Sequence, residues 1–235
     1  MDVLPMPRTI ELEFSRKYDR AHAYEYLRMH QGGLARRTSH WRDEQMAHHA
    51  LKLAGDPGLV LDLPCGAGRF WPLLAENPNR LIFAADNSAD MLAIAEASQP
   101  MEVLKQVKPF RTSVFAIGLD ANAVDCIFCI RLLHHIEQPE HRLTILREFH
   151  RVSRDTVILS LWVDGNYKAW KRKRLEQRRA AKGRATKNQN RFVIARDVIE
   201  NEFRQTGFKI IGQQDFLPGY AMWRTYVLRK DGHTE

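Results

Sequence analysis

The chain has 235 residues, with 36 Lys or Arg against 28 Asp or Glu and a formal net charge of +8. A hydrophobic content of 44% excludes a largely disordered polymer and suits one α/β domain with a modest addition. No run approaches the roughly 18–20 apolar residues that span a bilayer, the start Met1-Asp-Val-Leu-Pro5 lacks the basic-then-apolar pattern of a secretory leader, and three cysteines make no disulfide framework. The expectation is a cytoplasmic protein without a transmembrane segment.

In chain order, residues 8–54 read as helices. Tyr18, Tyr24, Tyr26 and Leu27, then Trp41, Met46, Ala50 and Leu53, supply an apolar stripe at helical spacing. Val60, Leu61 and Leu63 are the apolar content of a buried strand that stops at Pro64-Cys-Gly-Ala-Gly68. Gly66 and Gly68 allow a tight turn and the close approach of a ligand. Pro64 fixes its own φ and removes an N–H, so the turn rests on the two glycines. Phe70–Ala75 predicts a helix opening straight after that turn, with free N–H groups facing whatever sits over the loop. A second strand, Leu81–Ala85, ends in Asp86, about 20 residues beyond the glycines, where a doubly wound sheet carries the carboxylate that grips ribose hydroxyls. The plain alternative is a cap for the helix starting near Ala89, a task Asn87 or Ser88 could also perform. The strand, the glycine turn and the acid together predict a nucleoside site.

Asp125-Cys-Ile-Phe-Cys-Ile130 reads as a buried strand running into Arg131-Leu-Leu-His-His135. Cys126-x-x-Cys129 has half of a zinc spacing, but no second Cys or His pair completes it, and no metal is expected. Val157–Val163 is a fifth strand. Ala195–Gly207 is an amphipathic helix with Val198, Ile199 and Phe203 inward and Gly207 at its C-cap. Phe208–Leu217 and Tyr220–Arg229 close the chain as an antiparallel pair turning at Pro218-Gly219.

With these motifs the chain resembles the class I S-adenosylmethionine-dependent methyltransferases, in particular small enzymes of the quinone-biosynthesis type, well over residues 45–160 and loosely elsewhere. The carrying motifs are Asp62-Leu-Pro-Cys-Gly-Ala-Gly68, Asp86 and Asp125–Ile136. The resemblance implies a doubly wound, mostly parallel seven-stranded Rossmann-like sheet with an antiparallel C-terminal strand. It also implies a helical cap over residues 1–54 and a cofactor domain over 55–235. S-adenosylmethionine is the implied cofactor. Asp62 would sit near its amino group, Asp86 would hold the ribose and Met91 would lie near the adenine. The full implied contact set is Asp62, Pro64, Cys65, Gly66, Gly68, Asp86, Asn87, Met91, Ser113, Val114 and Ile130. Ser113 stands where many relatives carry an aspartate for the adenine amino group, so the serine or nearby backbone would read the base. The helical prefix would lie across the cofactor mouth, with Tyr18 and Tyr26 helping to close it. Arg131, His134 and His135 are the candidate catalytic residues: either imidazole as a base or a positioning group, and Arg131 as a partner for an acidic acceptor.

The segment Lys168–Arg191 holds 11 Lys or Arg and one acid, so the rest of the chain is slightly negative. It lies in an insertion, 165–191, after the fifth strand. It reads either as a solvated loop or as a recruiter of RNA phosphates, an anionic lipid surface or a phosphorylated substrate. Trp170 is the only aromatic within it, and Trp170 and Leu175 stand isolated among charges, which argues against an inserted amphipathic helix. The expected activity is methyl transfer to a small, anionic or lipid-linked metabolite. RNA methylation and a cofactor-binding module without catalysis are the alternatives. Oligomeric state is not readable.

Overall fold

The apolar segments pair into one seven-stranded sheet in a computed structural model that describes residues 34–184 and 190–232. The strands are β1 (Leu59–Asp62), β2 (Leu81–Asp86), β3 (Val107–Arg111), β4 (Val124–Cys129), β5 (Ser153–Trp162), β6 (Phe208–Asp215) and β7 (Trp223–Lys230). Their order is β3-β2-β1-β4-β5-β7-β6. The first five pair in parallel, and β7 runs antiparallel to both β5 and β6. The doubly wound, mostly parallel sheet with an antiparallel C-terminal strand is therefore the observed fold. Its strand order reverses between β1 and β4, and the carboxyl ends of those strands are where such sheets bind ligands.

Helices cover both faces, which is why the central strands read as continuous apolar runs. Alternation along β4 sends Ile127 and Cys129 to one face, against Ile145, Leu146 and Phe149 of α5 (Pro139–Val152) and Ile199 and Phe203 of α7 (Arg196–Gln205). Cys126 and Phe128 go to the other face, with Ala47, Ala50 and Leu51 of α1 (Leu34–Leu53), Trp71, Leu73 and Leu74 of α2 (Trp71–Leu74), Leu92 and Ala95 of α3 (Ala89–Ser98), and the partly buried Val103 and Leu104 of α4 (Met101–Leu104). A Cys-x-x-Cys on a strand thus puts its thiols on opposite faces of the sheet, where they cannot share an ion. Among the described residues no group of three or more His, Cys, Asp or Glu could hold a metal, and no helix is long and apolar enough to cross a membrane.

Several expected elements differ. The readings on Tyr18, Tyr24, Tyr26 and Leu27 lie outside the described residues. Within α1, Trp41 is 57% exposed, and the buried stripe is Met46, Ala47, Ala50 and Leu51, continued by Ala54 beyond the helix end. Contact with α2 and the sheet selects that face over the one richest in large apolar residues. The helix expected over Phe70–Ala75 is the single turn α2, because Pro72 serves its first turn and Ala75 already caps it. Val198 faces solvent while Ile199 and Phe203 are buried. The link between β6 and β7 spans 216–222, longer than a tight Pro-Gly turn. The basic insertion is no mere loop: most of it forms α6 (Tyr167–Ala180), opened by Asn166, whose side chain accepts the Ala169 N–H at 2.9 Å. Lys and Arg are good helix formers once such a cap is set.

One buried ion pair ties the region after β4 to the rest. Arg142 of α5 donates to Glu202 of α7 (Nε to Oε2, 2.8 Å) and to the carbonyls of Ile136 and Glu137. Those carbonyls directly follow the 3-10 turn Leu133–His135.

Candidate active site

The loop after β1 is held by the strands beside it. Leu63 N–H donates to the Phe128 carbonyl at 3.0 Å and Cys65 N–H to the Ala85 carbonyl at 2.9 Å, so the chain stays in line with the sheet past Pro64. Gly66 and Gly68 then take φ values of +54° and +70°, conformations that a side chain disfavours. At Gly68 packing adds a second constraint, since a Cβ there would come within 2.9 Å of the Trp71 ring and 3.2 Å of Ala95. Gly66 instead faces Met91, whose methyl would lie 3.5 Å from such a Cβ.

Two buried carboxylates flank the loop. Asp86 Oδ2 accepts the Gly66 N–H at 3.0 Å and Oδ1 accepts the Ser88 N–H at 2.9 Å. Ser88, not Asp86, caps α3 by accepting from Met91 N–H. Asp86 therefore pins the glycine turn through backbone N–H donors, that of Asn87 among them, and a carboxylate has acceptor capacity beyond these for a hydroxyl donor. Asp62 is 2% exposed, and its Oδ2 has no hydrogen-bond partner. Burial raises its pKa well above the usual carboxylate range, and the neighbouring Asp86 raises it further. The Trp71 indole beside it offsets part of that rise, and a buried acceptor next to a second acid suits a cationic donor. Burial likewise pushes the Cys65 thiol up, reinforced by both acids, so it is not a reactive nucleophile.

The remaining implied contacts form the rim. Asn87 is exposed and its carbonyl accepts from Arg111 Nε at 2.9 Å. Ser113 accepts the Phe115 N–H at 3.2 Å, and its carbonyl accepts the Ala116 N–H, which closes a turn carrying Val114 at the edge of the core. Ile130 lies at the end of β4, in a small cavity with Phe70, Ser160 and Trp223.

Past Ile130 the backbone of Arg131 takes φ +67°, unusual for a non-glycine residue, and its N–H donates to Ser160 Oγ at 3.0 Å. Its guanidinium lies over the Trp223 ring and donates to Asp43 Oδ2 at 2.6 Å. Arg69, just after the glycine turn, donates to the same Asp43 oxygen at 2.6 Å. Asp43 of α1 thus joins the cofactor loop to the end of β4. Nothing in the spacing of α1 marks Asp43, since the contact exists only once α1 crosses the sheet.

The two histidines separate in role. His134 is 3% exposed among Trp162, Trp223 and His135, and its carbonyl accepts the Phe192 N–H at 2.7 Å. Burial, then His135 and the cations Arg191, Arg131 and Arg172, lower its pKa to about 2. Such burial favours the positioning role for His134, one of the two roles expected of the pair. His135 Nδ1 lies 2.6 Å from the Asn190 carbonyl, which can only accept, so Nδ1 carries the hydrogen and Nε2 is the basic atom. Burial lowers its pKa as well, partly offset by that hydrogen bond.

Beyond this turn, α6 and residues 191–195 enclose a cleft of about 1070 Å³. Arg172, Lys173 and Arg191 line it together with the acids Glu137, Asp164 and Glu176, and Tyr167, Trp170 and Phe192 supply apolar walls. The basic insertion thus contributes to a cavity as well as to the surface. Its inner cations escape sequence reading because a charge run does not show which members face inward.

This strand order, with an acid ending β1, a Gly-x-Gly turn and a second acid ending β2, defines the class I methyltransferase fold. Residues 60–156 match the methyltransferase domain family, and the fold is that of the class I S-adenosylmethionine-dependent methyltransferases. The magnesium protoporphyrin IX methyltransferase of Synechocystis PCC 6803, solved with bound S-adenosylhomocysteine, superposes with a TM-score of 0.72 at 18% identity, covering 93% of this chain and 99% of that one. A S-adenosylmethionine-dependent methyltransferase of Aquifex aeolicus gives 0.62 at 16% identity, covering 91% and 100%. At these identities the likeness is one of fold. An uncharacterised Synechococcus protein is 35% identical over 89 residues, which are 37% of this chain and 21% of that protein. The chain therefore spans only a small part of that relative's length.

Because Asp86 pins the loop and is the residue expected to hold the ribose, Asp86→Ala is expected to weaken S-adenosylhomocysteine binding by about 10- to 100-fold. Ser113→Ala, which loses one neutral turn contact, is expected to change it less than about threefold. Equal losses in calorimetry would remove Asp86 from the cofactor site.

Proposed function

We propose that this chain transfers a methyl group from S-adenosylmethionine to a small, anionic or lipid-linked acceptor bound under α6. The observation that carries the reading is the buried pair Asp62 and Asp86 at the switch point of the sheet, one with an unpartnered oxygen and the other fixing the glycine turn. In this reading Asp62 receives the cofactor's amino group, Asp86 the ribose hydroxyls, and Met91 with Ser113 and Val114 the adenine. When bound, the cofactor supplies a methyl group already activated by the sulfonium charge, so the protein need only orient an acceptor and take its proton. Lys173 and Arg191 of the cleft would meet an acidic group of the acceptor, although Glu137, Asp164 and Glu176 line the same walls, and His135, whose Nδ1 is held by the Asn190 carbonyl, would offer Nε2 as the base. Arg131, held by Asp43 and Trp223, keeps positive charge at the end of β4.

The test is incubation with methyl-labelled S-adenosylmethionine and a cell extract split into small-molecule, lipid, protein and RNA pools, with Asp62→Asn as control. Label in the small-molecule or lipid pool, lost in the control, is the expected result. Label in RNA would replace the acceptor class. Cofactor binding with no label in any pool would favour a module without catalysis.

A further inference from the structure

The outward side of α6 is built unlike a solvated basic helix. Ala169, Arg172 and Glu176 face the cleft, with Arg172 paired to Glu176 at 2.9 Å. Tyr167 and Trp170, at the rim of that cleft, and Lys171, Arg174, Leu175 and Arg178 beyond it are all exposed. The β6–β7 link brings Leu217 and Tyr220 alongside, through N–H bonds from Tyr167 to the Gly219 carbonyl and from Lys168 to the Tyr220 carbonyl. Tyr167, Trp170, Leu175, Leu217 and Tyr220 are each 46–55% exposed. Trp170 is therefore not isolated: its ring lies 5.9 Å from that of Tyr167, which in turn stacks on Tyr220, and Leu175 and Leu217 are exposed on the same two elements.

We infer that this surface docks the enzyme on an anionic lipid bilayer, with the lysines and arginines on headgroup charges and the aromatic rings and leucines at the headgroup–acyl boundary. The inference deepens the proposed function, because the same helix walls the acceptor cleft and would set its mouth against the layer that holds a lipid-linked acceptor. Nucleic acid shares the charge requirement but not the rest. Stacking of bases needs open aromatic faces. Here Tyr167 stacks on Tyr220 at 12° and 5.7 Å, Lys168 sits over Tyr220, and Arg174 sits over Trp170. The exposed leucines offer a base nothing, whereas they suit acyl chains. Tyr and Trp with an apolar body and a polar edge are the residues favoured at bilayer interfaces.

The test uses the full chain in co-sedimentation with vesicles of phosphatidylserine and phosphatidylcholine at about 1:3, with pure phosphatidylcholine vesicles and with mixed-sequence single-stranded RNA. The expected result is binding to the anionic vesicles, weaker binding to neutral ones, and weaker binding to RNA. Lys171→Gln, Arg174→Gln and Arg178→Gln together should weaken vesicle binding by about 100-fold. Leu217→Ser with Tyr220→Ser should weaken it by about tenfold even where salt screens the charges, and should leave RNA binding unchanged. All these positions are exposed, so melting temperature and S-adenosylhomocysteine affinity should stay at parental values. RNA bound more tightly than anionic vesicles, or vesicle binding that neither variant set reduces, would overturn the inference. Vesicle binding without methyl transfer to any pool would count against the proposed function alone. Transfer to a soluble acceptor by a protein that ignores vesicles would count against the docking surface alone.

Discussion

Asp62→Asn is expected to raise the thermal midpoint of the ligand-free protein while weakening S-adenosylhomocysteine binding by about 100-fold. Both effects come from one atom. Asp62 Oδ2 is buried without a partner, with Asp86 as its nearest source of repulsion. In the ligand-free fold that arrangement is unfavourable, and relieving a buried unsatisfied polar group is worth about 1–3 kcal/mol. The amide keeps the shape, loses the charge and can donate towards Asp86. A cofactor ammonium that neutralises the parental carboxylate finds no charge in the variant. The pH dependence has a definite sign. The folded-state pKa of Asp62 is raised, so its favourable contribution is complete below the ordinary carboxylate range and is lost as pH rises through the folded value. The variant's advantage should therefore grow as pH rises from that range. Thermal melts across that window, paired with calorimetry, check both halves. An advantage that is flat with pH would mean the carboxylate is not the source of the strain.

Arg142→Leu is expected to cause the largest loss of stability among single substitutions at a distance from the cofactor loop, about 3–5 kcal/mol. It leaves Glu202 as an uncompensated buried charge and strips the Ile136 and Glu137 carbonyls of a donor. For a chain of this size the midpoint should fall by about 10 °C. The double substitution Arg142→Met with Glu202→Leu should recover much of the loss, because two apolar groups need no partner. Recovery should be smaller in methyl transfer than in stability, since the carbonyls that follow the His134–His135 turn would still lack their clamp. Urea unfolding of the single and double variants measures the coupling. Additive losses would show that the pair contributes little beyond its two side chains.

Legibility in the sequence followed the range of the interaction. β1, its glycine turn and Asp86 could be read because each depends on neighbours within a few residues and on a spacing set by one strand–helix–strand unit. The antiparallel closing strands were readable from alternation alone. Asp43 was not, because its value lies in two arginines on other elements, and an acid in a polar helix carries no local mark. His134 could be read only as a base or a positioning group, because the two tryptophans from β5 and β7 that bury it lie far off in sequence. Trp170 looked solitary because Tyr220 is distant in sequence and joins Tyr167, the ring beside Trp170, only through the long β6–β7 link.

The placement of β7 between β5 and β6 also sets an order of assembly as the chain leaves the ribosome. β6 is synthesised before β7, yet its neighbour in the sheet is β7, so β6 has no strand to pair with until Trp223–Lys230 emerges. Over the same interval the edge of β5 is bare, and bare edges invite pairing between chains. A nascent chain arrested just short of Trp223 would carry both acids and the glycine turn but an open sheet, so a ribosome-stalled chain should gain protease resistance in one late step.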